Sequence, residues 1–228
     1  MTGIQITRRA LLAGLFSGPL LLSGTGCTPG ALGFLFRGDG KKPPEYPLTP
    51  LKNHDSKEIR VVVMANSGAN MTYEFAGVER EVASQTGKKL VEGTKEEKNP
   101  VKIIRPEDVD KFKMQNPTWK IMHPCRVAQQ LNADYLIDIS ITGIGLYQPN
   151  SANSLYEGWA TADVSVYEAG TEAFRWQYFH KSTQSQTPAD AMPPGQYKAK
   201  LVSRLAYELA SRHMKHTEDS RIAPLDKE

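Results

Sequence analysis

The 228 residues predict an α+β domain: a mixed sheet of about five strands with helices packed mainly on one face. Three observations carry that expectation. Ile59 to Met64 is a compact β-branched run with the length and make-up of a buried strand. Ile137, Ile139 and Ile141 alternate with Asp138, Ser140 and Thr142, the period-two pattern of a strand with one buried face. Near the end, Tyr197, Leu201, Leu205 and Leu209 recur at helical spacing as an apolar stripe that needs a sheet to cover.

The elements follow in order from Glu58. After the first strand, Asn66, Ser67, Gly68 and Asn70 break the run. A helix is expected from about Thr72, with Phe75, Val78 and Val82 on one side and Gly87 or Gly93 at its end. Val101 to Arg105 reads as a second short strand. Pro106-Glu107-Asp108 suits a helix start, because proline lacks only a donor that the first turn cannot use and acids complement the positive end. Pro117 stops that helix. Another begins near His123-Pro124 and carries Val127, Ala128 and Leu131 on one side.

The alternating strand from Ile137 is separated by a polar turn, Pro149 to Ser154, from a partner in which Ala162, Val164 and Val166 alternate with Thr161, Asp163 and Ser165. A third strand, about Glu172 to His180, is expected to place Phe174, Trp176 and Tyr178 on one face. Connections this short exclude crossovers, so the three strands form an antiparallel meander. A polar, proline-containing loop from Ser182 to Gly195 leads to the last helix, about Gln196 to His216. The globular domain thus spans 58–216, and the charged tail 217–228 is expected to be disordered.

Residues 1–27 read as an export signal. Arg8 and Arg9 precede an uncharged stretch from Ala10 to Gly26, which closes on small residues before Cys27. Thr7-Arg8-Arg9-Ala10-Leu11-Leu12 resembles the bacterial twin-arginine motif, although two adjacent arginines also make an ordinary positive n-region. Cys27 is the expected lipidation site, with a palmitate-type acyl anchor on the mature terminus. The usual Leu three residues earlier is here Gly24. The alternatives are an uncleaved anchor, which the glycines and prolines between Gly14 and Gly30 make a poor transmembrane helix, and simple cleavage to a soluble periplasmic protein. Residues 28–57 read as a proline-rich tether, with Pro29, Pro43, Pro44, Pro47 and Pro50 among Gly, Lys and Asp. Fully extended, such a tether would reach about 100 Å.

Composition narrows the function classes. A hydrophobic content of 39%, with 3 Trp, 9 Tyr and 7 Phe, suffices for a real core. The formal charge of +3 falls to +1 when Arg8 and Arg9 leave with the signal, which gives no electrostatic case for nucleic acid. Only Cys125 lies in the globular part, so no disulfide framework is available there, and the expectation is a buried free thiol.

Val-Lys-Ile-Ile-Arg-Pro-Glu-Asp-Val (101–109), a helix ending over Ala128 to Leu131, and Ala133-Asp134-Tyr135-Leu136-Ile137 together resemble the CsgG/LpoB/TolB amino-terminal-domain group of envelope proteins. The resemblance covers roughly residues 58–216. The segment after Gly87 is longer and more charged than the group's pattern, and nothing resembles the membrane-spanning hairpins of the curli secretion channel. The resemblance implies a non-enzymatic envelope lipoprotein that binds another protein, as the penicillin-binding-protein activators do.

Residue chemistry offers few rivals. Asn66 to Asn70 joins a strand to a helix and has backbone donors for an anion, but lacks the Lys and glycine spacing of a P-loop. His123-Pro124-Cys125 lacks the second ligand pair of a zinc site, and no metal or cofactor is expected. His213 and His216 are read as helix-end groups, His54 as part of the linker and His180 as closing a strand among exposed polar residues. Asp134, Asp138 and Asp163 are the carboxylates that a periplasmic hydrolase would use, against a solvated or capping role. Phe174, Trp176 and Tyr178 either form core or join Trp159 and Tyr147 in a partner surface.

The expectation is a non-enzymatic, lipid-anchored envelope protein on the periplasmic side that docks an unidentified envelope protein. The rivals are a hydrolase and a structural protein oligomerising through a sheet edge. Thr28, which is not acidic, leans the address toward the outer membrane.

Overall fold

The structure, a computed structural model, describes residues 41–51, 57–68, 71, 73–148, 156–171, 173–185 and 193–217. All belong to the compact unit Gly40–Glu228. The export signal with Arg8, Arg9 and Cys27, the tether over 28–40 and 52–56, the Asn70 end of the first loop, the turn 149–155, the loop 186–192 and the tail from 218 lie outside the described residues.

Five strands form the sheet, in the order Val101–Ile103 (β3), Ile59–Ser67 (β2), Tyr135–Tyr147 (β4), Tyr156–Glu168 (β5) and Phe174–Ser185 (β6). β2 runs parallel to β3 and β4, with Val63 opposite Ile137. β4, β5 and β6 form the expected antiparallel meander, with Ile139 opposite Val164 and Val164 opposite Tyr178. The sheet is therefore mixed and the fold α+β.

Its inner face carries the alternating residues Ile137, Ile139, Ile141, Ala162, Val164 and Val166, all buried. Two long helices cover them: Val78–Thr94 (α1) and Pro194–Ser211 (α4). Leu201 and Leu205 are fully buried there, each such burial stabilising by about 1.5–3 kcal/mol. Two shorter helices, Pro106–Gln115 (α2) and Pro124–Gln130 (α3), pack Val109, Phe112, Val127 and Ala128 against Val62, Met64 and Leu136 on the other face. They cover the β2 side of that face. The meander's own outer side remains with Thr161, Asp163 and Phe179.

Several local expectations shift. α1 continues through Gly87 and Gly93, because both face close neighbours: a Cβ would stand 3.3 Å from Ile103 at the first and would collide with Met214 at the second. The last helix ends at Ser211, so His213 and His216 lie beyond it.

The tether reading over 28–57 is shortened by the fold. Residues 41–51 pack on the body: Leu48 and Leu51 join the inner core, and Tyr46 N–H donates to the Arg212 carbonyl at 2.8 Å. Lys41–Lys42 (β1) pairs antiparallel with His216–Thr217 (β7), which brings Thr217 into the fold as well. The prolines deny this segment a place in the sheet, but its apolar side chains still bury.

Candidate functional site

Trp159 and the strand beside it form the most distinctive surface on the outer face. Trp159 is half-buried on β5. Its ring lies over Gly143 and Gly145 of β4, so close that a Cβ at either position would stand 2.7 or 2.6 Å from the indole. The irregularity in the β4–β5 register after Ile141 brings these glycines to the outer face. Trp159 Nε1–H donates to the Tyr147 carbonyl at 3.0 Å, which fixes the ring's orientation. Beside it, the Thr142 hydroxyl bonds the Thr161 hydroxyl at 3.0 Å. The result is a rigid aromatic tile laid on backbone, next to short polar groups. Tyr147 itself is half-buried against the core.

The aromatic side chains of β6 do not share one face. Trp176 opposes Val166 and Phe174 opposes Tyr167, so Arg175 is an extra residue in the strand. That bulge reverses the alternation. Phe174, 53% exposed, meets the edge of Tyr167 on the outer side, while Trp176 and Tyr178 pack inward on the core. Trp159, Phe174, Trp176 and Tyr178 therefore do not form one partner surface. Two lie on the outer face, and two lie beneath the 41–51 strap.

Under that strap, Tyr46 stacks on Tyr178, and both rings adjoin His213. His213 Nδ1–H donates to the Tyr46 carbonyl at 2.8 Å, leaving Nε2 to accept from the Tyr178 hydroxyl at 3.1 Å. Burial holds His213 neutral, with its pKa lowered to about 4, and pushes the Tyr178 phenol up. Arg175 anchors the next turn of the strap. It donates to the Tyr135 hydroxyl at 2.9 Å, to Glu168 at 2.5 Å and to the Thr49 hydroxyl at 3.2 Å, and its guanidinium lies over Trp176. Sequence reasoning singled out neither Tyr46 nor Arg175. The only signal was the apolar set Tyr46, Leu48 and Leu51 among the prolines.

His180 is buried rather than exposed. Its Nε2 meets Glu208 at 2.9 Å, and Glu208 also accepts from Arg204 Nε at 2.8 Å. Burial alone would raise the Glu208 carboxyl, but the bonds from His180, Arg204 and Ser182 hold it below the usual carboxylate range. This network joins β6 to α4 inside the fold.

The carboxylates proposed for hydrolysis do not converge. Asp134 is buried and accepts from the Arg60 backbone N–H at 2.7 Å, holding β2 to the start of β4. Asp138 stands on the outer face and accepts from the Asn66 side chain at 3.2 Å; burial raises its pKa. Asp163 is exposed, opposite Ser140 and Phe179. His180 points into the core, away from both outer-face acids. A cavity of about 750 Å³ opens between the strap and the β5–β6 turn, lined by Thr49, Leu51, Gln129, Asn132, Glu168 and Arg175 among others. It includes none of the three aspartates and no histidine.

His123 Nδ1 lies 3.0 Å from Cys125 Sγ, and Cys125 is a buried free thiol. Among the described residues, no group of three or more His, Cys, Asp or Glu could hold a metal ion. Among them, too, no helix is long and apolar enough to cross a membrane.

No family model matches the chain, and no curated protein matches it. Among solved structures, the PelC dodecamer from Paraburkholderia phytofirmans is similar at 13% identity and a TM-score of 0.41, over 69% of this chain and 91% of that one. Lipoprotein GNA1162 from Neisseria meningitidis is similar at 14% identity and a TM-score of 0.40, over 68% of this chain and 97% of that one. The LpoB C-terminal domain from Salmonella enterica is similar at 13% identity and a TM-score of 0.32, over 59% of this chain and 87% of that one.

Proposed function

We propose that this chain is an exported, lipid-anchored protein of the bacterial cell envelope whose α+β body binds another envelope protein without catalysis. The leader with Arg8, Arg9 and Cys27 supports the address, and the acyl group on Cys27 is the membrane contact. The periplasmic side is the place for the body, with the outer membrane favoured by Thr28. Arg8 and Arg9 suit either the twin-arginine route or general secretion.

Trp159 carries the binding reading. Its ring is held flat on Gly143 and Gly145 on the outer face of the sheet. A pre-positioned aromatic anchor loses little freedom on docking, which is what makes such residues interface hot spots. Phe174 adds an exposed ring on the same side. Trp176 and Tyr178 serve the fold and support the surface from beneath.

The test joins both halves. A photo-crosslinkable residue at Thr161, beside the indole, should trap one reproducible envelope protein in intact cells. Trp159→Ala should reduce that product at least about tenfold, as losing a hot spot does. Trapping that is unchanged by Trp159→Ala would refute the surface. A Cys27→Ala chain that still sediments with membranes would refute the lipid anchor.

A further inference from the structure

We propose that two copies of this chain pair their β6 strands antiparallel about a twofold axis beside Phe179, making one continuous sheet across the dimer. The sheet has two edges of unequal kind. β3 offers three residues, whereas β6 offers twelve, and no described backbone group outside the strand pairs with its outer side. β6 contains neither proline nor glycine, and its bulge at Arg175 leaves the stretch from Trp176 onward regular. A long, unbroken edge exposes a row of backbone donors and acceptors that another strand satisfies.

The strand is also held ready. Tyr178 is fixed by His213 and Tyr46 and His180 by Glu208, so the inner-face side chains cannot rearrange when a neighbour arrives. On the outer face, Phe179 is 60% exposed in mid-strand, with Asp163 as its cross-strand neighbour.

Residue chemistry selects the occupant and the register. A twofold axis normal to the sheet sets residues of one face against each other, so it must pass beside a single residue. Beside Phe179, it places Phe179 against its own twin and Gln177 against Lys181. The Lys181 ammonium then faces the neutral Gln177 amide, and the exposed rings cover one another. An axis one residue earlier, at Tyr178, sets Phe179 against Gln177 and separates the two exposed rings, and an axis at Lys181 opposes two ammonium groups; like charges directly opposite destabilise a strand pair. Toward itself, in this register, the edge is complementary. This dimer leaves Trp159 on the open face of β5, so it does not depend on the docking reading above.

Variants of the full chain with an added cysteine test both the pairing and its register. Directly opposed residues lie about 4.5–5.5 Å apart, within reach of a disulfide. Under mild copper-phenanthroline oxidation in intact cells, Phe179→Cys should give a linked dimer at twice the mass of the processed chain. Gln177→Cys or Lys181→Cys alone should stay at the background of the unsubstituted chain, which has Cys27 and Cys125. The double variant Gln177→Cys/Lys181→Cys should link. Absence of a link at 179, or equal linking at all three positions, would overturn the proposal. As an independent check, Phe179→Lys in the detergent-extracted full chain should weaken dimerisation at least about tenfold while the melting temperature is retained. A dimer of unchanged strength would also overturn it.

Discussion

Tyr46 lies face to face on Tyr178, with ring centroids 4.7 Å apart and planes 5° from parallel. A residue from the proline-rich approach to the domain is thereby packed on a ring that itself adjoins the core. Arg212 makes the same connection twice, through its carbonyl to Tyr46 N–H and through its guanidinium to Glu45. Under the proposed anchor on Cys27, the sequence between that residue and the first described residue of the body is shorter than a tether running to Lys57. Thirteen residues extend at most about 45 Å, less than half the reach of a tether running to Lys57.

Tyr46→Ala removes the stack and uncovers Tyr178 and Trp176. We expect a loss of about 2 kcal/mol in stability, read as a lower urea midpoint with an unchanged slope. Pro47→Ala, at an exposed neighbour, should change it little. Equal effects from the two would show that the strap contributes no specific packing.

His213 gives the stability a defined pH dependence. Its folded pKa is lowered from 6.5 to about 4, so the folded state holds the neutral imidazole. As pH falls below 6.5, the unfolded chain binds a proton that the folded chain refuses, and stability declines until about pH 4. The integrated loss is roughly 3 kcal/mol. Denaturation series at pH 7 and 4.5 should show most of this in the native chain and little of it in His213→Gln. Glu45 and Glu208, whose carboxyl pKa values are lowered, lose their contribution in the separate window below about 4.5.

Glu208 is the common acceptor for His180 and Arg204. Glu208→Ala leaves both inside the fold without their carboxylate, and we expect a cost of about 3 kcal/mol. Amide exchange should rise along β6 and α4 together. Exchange confined to α4 would contradict the clasp.

Gly145→Ala should displace Trp159, since the added methyl would stand 2.6 Å from Nε1. The ring can escape only by giving up its bond to the Tyr147 carbonyl. A red-shifted indole emission and about 1–3 kcal/mol of destabilisation are expected. Emission identical to that of the native chain would mean that the ring is not seated on the glycines.

Periodicity made most of the fold legible. The alternation around Ile137, the β-branched run at Ile59 and the stripe through Leu201 each locate an element, because burial of one face imposes its own spacing. Features depending on a single inserted residue were not legible. The Arg175 bulge sends Phe174 to the opposite face from Trp176, and alternation alone has no means of placing it. Composition misplaced the strap, because prolines exclude a segment from ladders but not from a core. The histidines misled for a related reason: His180 and His213 look polar in sequence, yet Glu208 and the Tyr46 carbonyl satisfy them inside. At the site, the aromatic residues were visible but their partners were not, since Gly143 and Gly145 act by what they lack.

The export reading is open to direct mass measurement of the N-terminal peptide from membrane-extracted protein. Cleavage before Cys27 and a diacylglyceryl or triacyl mass on that cysteine are expected, with Thr28 following it. A terminal peptide that retains Arg8 and Arg9, or one that begins beyond Cys27 without lipid, would contradict a lipid-anchored envelope protein.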